Sequence, residues 1–281
     1  KKPLVSIIIP AHNQEALTHA CIDSILTKTT YDNFQVMLID NRSDDLVMLA
    51  YLEALTGHPR VEVISDPRPF NFSALNNRAV KMCKGEVLLF LNNDTEVINA
   101  DWLTEMASQA TRQDIGCVGA KLYFTDGRIQ HGGVIVGYGG VAGHAHKFLP
   151  GGHPGYMSRL VCVQNFSAVT AACMAIRREV FEQVGGFDEQ NLAVAFNDVD
   201  LCLKVQEAGY RNLWTPYAEL YHHESVSRGY EDTPEKQVRF QRELEAFRKR
   251  HAEALSLGDP YYNRNFRLDT EEVLPQPWAQ H

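Results

Sequence analysis

The sequence predicts an α/β fold built on a mostly parallel central sheet, and three observations carry that prediction. Short apolar runs alternate with segments of helical period through the first 110 residues. Each run ends in a polar loop instead of a tight hairpin turn, as parallel βαβ units require. Apolar residues make up 44% of the 281, enough to cover both faces of such a sheet.

The elements follow in order. Leu4 to Ile9 is a continuous β-branched run stopped by Pro10, the pattern of a strand buried on both faces. Glu15 to Leu26 places Ala16, Ala20, Ile22 and Ile25 near helical spacing. Gln35 to Ile39 is a second strand, Leu46 to Leu55 a second helix, and Arg60 to Ile64 a short third strand. Ser73 to Cys83 is a third helix, capped at its end by Lys84-Gly85. Glu86 to Leu91 is a fourth strand and Asp101 to Ala110 a fourth helix.

The second half is less regular. Residues 127 to 155 hold ten glycines and four histidines, which predicts a loop-rich segment; Gly132 to Gly155 is the candidate acceptor wall or lid. Ala168 to Ile176 reads as a buried strand or strand pair. Val199 to Ala208 reads as a helix closed by Gly209, and Leu213 to Leu220 as extended with Pro216 inside it. Glu235 to Leu255 is an amphipathic helix: Val238, Phe240, Leu244, Phe247 and Leu255 form the apolar face, and Arg239, Arg242, Arg248, Lys249 and Arg250 a basic face read as solvated. Residues 259 to 281 carry three prolines and no period, and are expected to form an extended tail. The expected organisation is a body over residues 1–230, divided at about 125 into a nucleotide half and an acceptor half, with residues 231–281 packing on it.

Bulk properties narrow the function. The net charge of −8 disfavours a nucleic-acid partner, while an anionic small substrate remains compatible with a local metal or a few basic groups. None of the six cysteines forms a C-x-x-C pair; they read as small buried thiols, and a reducing cytoplasm is the simplest setting. The apolar runs are far too short for a membrane span. The start at Lys1 suggests a domain of a longer protein. The sequons at Asn41, Asn71, Asn93 and Asn165 lie in or beside the candidate site and read as chance matches. No P-loop or nucleophile elbow occurs, and the G-x-G-x-x-A run at Gly137 to Ala142 lacks a following helix. The loop Pro10-Ala-His-Asn-Gln14 has no glycine, unlike a nucleotidyltransferase loop.

Ligands of open parallel sheets bind beyond the carboxyl ends of the strands. That rule points to Pro10–Asn13, Asp40–Asp44, Asp66–Asn71 and Asn92–Asp94. Asp94 is a candidate ligand for a divalent cation, with Asn92 and Asn93 placed to bond a sugar or ribose; the same run is also good turn chemistry. Asp198 in Asn197-Asp-Val-Asp200 is a candidate general base, ionised at low pKa by a helix N-terminus, and Asn197 a candidate N-cap. Asp198 and Asp200, two apart on a helix, diverge, so one of them is structural. Of the adjacent His222 and His223, at most one faces a metal.

These segments resemble family 2 glycosyltransferases of the GT-A fold. The matching runs are Val5-Ser-Ile-Ile-Ile-Pro-Ala-His-Asn13, Val36-Met-Leu-Ile-Asp-Asn-Arg-Ser43, Asn71-Phe-Ser-Ala-Leu-Asn-Asn77, Gly85-Glu-Val-Leu-Leu-Phe-Leu-Asn-Asn-Asp-Thr95, Gly185-Gly-Phe-Asp188, Phe196-Asn-Asp-Val-Asp200 and Tyr221-His-His-Glu-Ser-Val-Ser-Arg-Gly229. They occur in the family's order over about the first 230 residues, and are most similar to the bacterial branch that builds surface polysaccharides, rhamnosyltransferases included. The resemblance implies an inverting transfer from a UDP- or dTDP-sugar to a glycan, lipid-linked acceptors included, at the inner face of the membrane. It implies that Pro10, Ala11, Asn13 and Asp40 hold the base and ribose, and that Asn71 and Asn77 contact the nucleotide. Asn92-Asn93-Asp94 takes the D-x-D place, with Asp94 and His222 holding Mn²⁺ or Mg²⁺, His223 the alternative, and Asp198 the base. Asn92 and Asn197 stand where the family is commonly acidic, which removes negative charge beside the donor.

Overall fold

A computed structural model describes residues 2–223, 233–270 and 273–276. Part of the Tyr221 to Gly229 run and the end of the tail lie outside them.

The first half alternates as predicted. Its elements are β1 (Val5–Ala11), α1 (Glu15–Lys28), β2 (Phe34–Asp40), α2 (Leu46–Leu55), β3 (Val61–Ser65), α3 (Phe72–Met82), β4 (Val87–Leu91), β5 (Thr95–Val97) and α4 (Trp102–Ala110). The second half contains β6 (Ile115–Tyr123), β7 (Ile129–His131), β8 (Val134–Val136), β9 (Ala142–His144), β10 (Gln164–Asn165), β11 (Cys173–Arg177), α5 (Arg178–Gln183), α6 (Asn197–Glu207), β12 (Arg211–His222), α7 (Pro234–Arg250) and α8 (Ala252–Leu257).

One sheet runs through the molecule in the order β10-β12-β6-β11-β4-β1-β2-β3, with β5 on β12 and β7 on β6. The pairs β1–β2, β2–β3, β1–β4 and β6–β12 are parallel; β11 is antiparallel to both β4 and β6. Side-chain alternation sends Ile8, Met37, Leu88 and Phe90 to one face. Ile7, Ile9, Leu38, Leu89 and Leu91 go to the other. The first face is covered by α3, α5, α6 and Phe247 of α7, the second by α1, α2 and α4. Continuous apolar strands are therefore buried on both sides, as Val5 to Ile9 implies.

Several expectations change. Ile115–Tyr123 is a central strand that periodicity missed, because its two glycines and Lys121 break the apolar run. Gly116 and Gly119 are required there: a Cβ at either would meet Val205 or Val169 within 2.5 Å. The glycine-rich segment is not all loop, since it supplies β7, β8 and β9. The long helix breaks at His251 into α7 and α8. Its inner face is Phe240, Glu243, Leu244 and Phe247, and Val238 is 71% exposed. Arg250 stays partly exposed but also pairs with buried Asp200 and with Asp188, a role the solvated reading of this face does not include. Cys162 is exposed, whereas the other five cysteines are buried thiols. Among the described residues no helix is long and apolar enough to cross a membrane.

Candidate active site

The polar ends of the parallel strands open on a cavity of about 790 Å³, within the size range of small-ligand sites. Pro10 and Ala11 line it from the end of β1 and His12 just after it, Asn41, Arg42 and Asp44 after β2, Phe70 before α3, and Asn92, Asn93 and Asp94 after β4. The rest of the lining is Gln130, His144, Lys147, Thr170–Ala172, Val194–Asp198 and His222, with Lys236, Arg239 and Phe240 of α7. Four lysine and arginine side chains line the cavity against three aspartates, so it tolerates an anion despite the chain's net charge.

Strand pairing brings Asp94 and His222 together. β5 is antiparallel to the end of β12, which sets His222 opposite Thr95. His222 Nε2 then lies 3.2 Å from Asp94 Oδ1. Gln130 on β7 fixes the ring: its Nε2 donates to the His222 carbonyl at 3.1 Å, so its Oε1 accepts from His222 Nδ1 at 2.6 Å. In the neutral ring the proton therefore sits on Nδ1, and the single lone pair of Nε2 accepts from Asn92 Nδ2 at 3.1 Å; a cation held there would take that pair in place of the amide. A carboxylate and an imidazole lone pair facing each other at this separation suit a shared divalent cation. Among the described residues no third acidic, histidine or cysteine side chain joins them. That donor set fits Mn²⁺ or Mg²⁺ only with phosphate oxygens completing the shell, the usual arrangement on a diphosphate. His223 turns away, toward Thr125 and Glu96, and its N–H donates to the Asp94 carbonyl at 2.8 Å.

Asp198 reaches the same cavity from the first turn of α6. Its Oδ2 accepts from the Ala171 N–H at 3.1 Å and its Oδ1 from the Val199 N–H at 2.9 Å. Its pKa is raised, not lowered as the helix position suggests: burial outweighs these N–H donors and the Thr170 hydroxyl. Phe196, not Asn197, is the N-cap, held in the left-handed region at φ 60°. Asp200 points the other way and is structural. It is fully buried, with Arg250 Nη1 at 2.9 Å, His251 Nε2 at 2.8 Å and Lys204 Nζ at 3.3 Å. Burial pushes its pKa up, but the hydrogen bond to His251 and the charges of Lys204 and Arg250 outweigh it and hold the pKa below the usual range.

Of the other candidate residues, Asn13, Asp40, Asn71 and Asn77 brace the cavity without lining it. Asn13 ties the loop after β1 to the loop after β2, accepting from the Asp44 and Asp45 N–H groups and donating to Asp44. Asp40 accepts from the Ser43 N–H. Asn71 caps α3 by accepting from the Ala74 N–H and donates to the Glu189 carbonyl. Asn77 bonds both polar groups of the Phe187 backbone. Asn93 lines the cavity wall and donates to Thr18 Oγ1.

Sequence reasoning missed Gln130, His131, His144, Lys147, Thr170, Lys236, Arg239 and Glu243. The histidine-rich stretch was visible, but which histidines turn inward depends on β7 and β9, too short to leave a period. Glu243 is fully buried and accepts from the Val194 and Ala195 N–H groups at 3.3 and 2.7 Å. A carboxylate amid an apolar helix face marks that inward turn.

The sequence profile described as "Glycosyl transferase family 2" matches residues 6–185, and the chain belongs to that family. It is 53% identical over 277 residues to "Uncharacterized protein y4gI" of Sinorhizobium fredii, covering 98% of this chain and 30% of that protein. It is 41% identical over 267 residues to "O-antigen biosynthesis protein RfbC" of Myxococcus xanthus, covering 95% of this chain and 20% of that protein. The chain thus spans less than a third of either relative. The fold is of the GT-A type: a mannosyltransferase from Pyrobaculum calidifontis, solved with GDP-Man and Mn²⁺, superposes with a TM-score of 0.64 at 17% identity, over 90% of this chain and 65% of that one.

Proposed function

We propose that the chain transfers a sugar from a UDP- or dTDP-sugar to a hydroxyl of a growing surface glycan, with inversion at the anomeric carbon. One observation carries the reading: Asp198 and the Asp94–His222 pair face a single cavity that polar strand ends and basic side chains also line. Pro10 and Ala11 hold the nucleoside, with Asp40 and Asn13 fixing the loops beside it. Asn71 and Asn77 support the nucleotide side through α3. Arg42, Lys147, Lys236 and Arg239 supply positive charge for a diphosphate. Asp94, His222 and the amide of Asn92 are the groups that would hold Mn²⁺ or Mg²⁺. When bound, the cation would neutralise charge on the departing diphosphate.

Asp198 takes the proton of the acceptor hydroxyl. That oxygen bonds to the anomeric carbon as the bond to the diphosphate oxygen breaks on the opposite side, and the nucleoside diphosphate leaves. A raised pKa suits the role, because a stronger base accepts the proton more readily near neutral pH. A glycan acceptor is supported by the name of the Myxococcus relative, and a lipid-linked one at the inner membrane face by the resemblance alone.

The test is nucleoside-diphosphate release from a panel of UDP-, dTDP- and GDP-sugars, dTDP-rhamnose among them, with Mn²⁺ and an O-antigen-type acceptor. Release dependent on acceptor, with an inverted product linkage by NMR, is expected. Pyrophosphate as product would make the chain a nucleotidyltransferase. No thermal shift with any nucleoside diphosphate, with or without Mn²⁺, would make it a non-catalytic binding domain, the outcome that Asn92 and Asn197 in place of acidic residues would then explain.

A further inference from the structure

A second pair of imidazoles lies beside the metal-ligand candidates and has no part in the mechanism above. His131, at the end of β7, is fully buried, and His144, at the end of β9, lines the cavity. Their Nδ1 atoms are 2.9 Å apart. Such a contact is stable only when one ring donates and the other accepts. The backbone decides which. The Thr170 N–H donates to His131 Nε2 at 3.5 Å, and a backbone amide has no other role available. His131 Nε2 is therefore the acceptor, and its proton is on Nδ1. His131 Nδ1–H then donates to His144 Nδ1, which places the His144 proton on Nε2. Burial drives both rings to the neutral form, His144 down to about 4, so this directional chain persists at neutral pH.

The position of the pair says what the donor meets. Thr170 is joined to Ala171, whose N–H holds Asp198. His222, opposite Asp94, acts electrostatically on both rings of the pair. His144 thus lines the same cavity as the base and the groups assigned to the departing diphosphate, the space that the transferred sugar shares. We infer that His144 is a specificity residue that donates its Nε2–H to a hydroxyl or ring oxygen of the transferred sugar, and that His131 is the positioning residue that fixes this tautomer. A neutral N–H held in one tautomer recognises an uncharged oxygen without competing for the diphosphate. The inference rests on the proposed sugar transfer and adds the group that reads the sugar.

Two measurements on the full chain test it. In long-range ¹⁵N–¹H spectra of histidine-labelled protein at neutral pH, His131 is expected as the Nδ1–H tautomer and His144 as the Nε2–H tautomer. His131→Leu is expected to move His144 toward a tautomeric mixture. A His144 protonated on Nδ1 in the unsubstituted chain overturns the inference. Calorimetry with Mn²⁺ then compares UDP with UDP-glucose, dTDP with dTDP-rhamnose, and GDP with GDP-mannose. His144→Phe and His144→Gln, checked for folding by thermal melts, are expected to weaken the sugar nucleotide that the natural chain binds. The expected loss is roughly fivefold to tenfold for Phe and smaller for Gln, while the matching nucleoside diphosphate is unchanged. Equal losses for both ligands, or none, overturn the sugar contact but leave nucleotide binding standing. A natural chain that binds none of the six overturns the proposed transfer itself, and this inference with it.

Discussion

The ring of Phe196 lies 5.4 Å from that of Phe247, although the two residues are 51 apart in the chain. Phe196 holds a left-handed backbone at φ 60°, a conformation that a bulky residue keeps only when its surroundings enforce it. Phe247 and Phe240 of α7 enforce it here, and Glu243 holds the preceding N–H groups. The next turn carries Asp198. The C-terminal helix is thus part of the active-site scaffold. Phe247→Leu is expected to destabilise the chain by about 1–1.5 kcal/mol. It should lower kcat more than it raises the donor KM, because the nucleotide end is built from other loops. Steady-state kinetics beside a denaturant melt separates the two effects; an unchanged kcat removes α7 from the positioning of Asp198.

Asp94 and His222 give a paired expectation. Asp94→Ala should abolish the metal dependence of nucleoside-diphosphate binding, read by calorimetry with and without Mn²⁺. Gln130→Ala leaves both ligands in place but frees the His222 ring that it orients through two hydrogen bonds. Loss of such an outer partner typically weakens metal affinity by about 10- to 100-fold. Equal Mn²⁺ affinity in Gln130→Ala and the natural chain would dismiss the fixed-tautomer account of His222.

The cavity cations predict a salt signature. Lys236 and Arg239 come from α7, the helix whose basic face reads as solvated in sequence. The double substitution Lys236→Ala, Arg239→Ala should weaken nucleoside-diphosphate binding, with the difference from the natural chain shrinking as salt rises from 0.05 to about 0.5 M, because the Debye length shortens. A difference independent of salt would assign these side chains to packing.

The parallel half of the fold was legible because its strands are apolar on both faces, and burial on both faces leaves runs such as Val5 to Ile9. The strand-end rule then located the cavity from four loops, each of which contributes at least one lining residue. What lies past residue 115 was harder to read. Apart from its end, which pairs with β7, Ile115–Tyr123 pairs with β11 and β12, about 50 to 100 residues away, and its glycines are set by Val169 and Val205, not by local propensity. Asn71 and Asn77 show the converse limit: the motif was visible, but only the tertiary contacts to Glu189 and Phe187 reveal that their side chains brace the site.

Asp66 carries the clearest stability expectation. Arg68 and Arg78 converge on its carboxylate, with both Arg68 bonds at 2.8 Å, and Arg68 first among them holds its pKa down to about 2. A depressed carboxylate stabilises the fold above its unfolded value of about 4, and that contribution is lost as pH falls toward 2. Asp66→Asn should cost roughly 1.5–3 kcal/mol at pH 7, and the gap to the natural chain should close between pH 4 and 2 in denaturant titrations. A gap that stays constant over that range would mean that the charge is not what these arginines recognise.

Asp198 runs in the opposite direction. Burial raises its pKa, so the protonated form is favoured in the folded chain. Its stabilising contribution is complete below the ordinary carboxylate range and is lost as pH rises through its own higher value. The stability difference between the natural chain and Asp198→Ala should therefore shrink as pH rises through that window. Activity needs the ionised form and must move the other way, with an acidic limb in kcat whose midpoint lies above the ordinary carboxylate value. Asp198→Asn should reduce transfer by about 10²- to 10⁴-fold while leaving nucleoside-diphosphate binding close to normal. Together these two pH profiles, opposite in sign and sharing one midpoint, would tie stability and turnover to a single carboxyl group. Transfer retained in Asp198→Asn would remove that group as the base, whatever the stability profile shows.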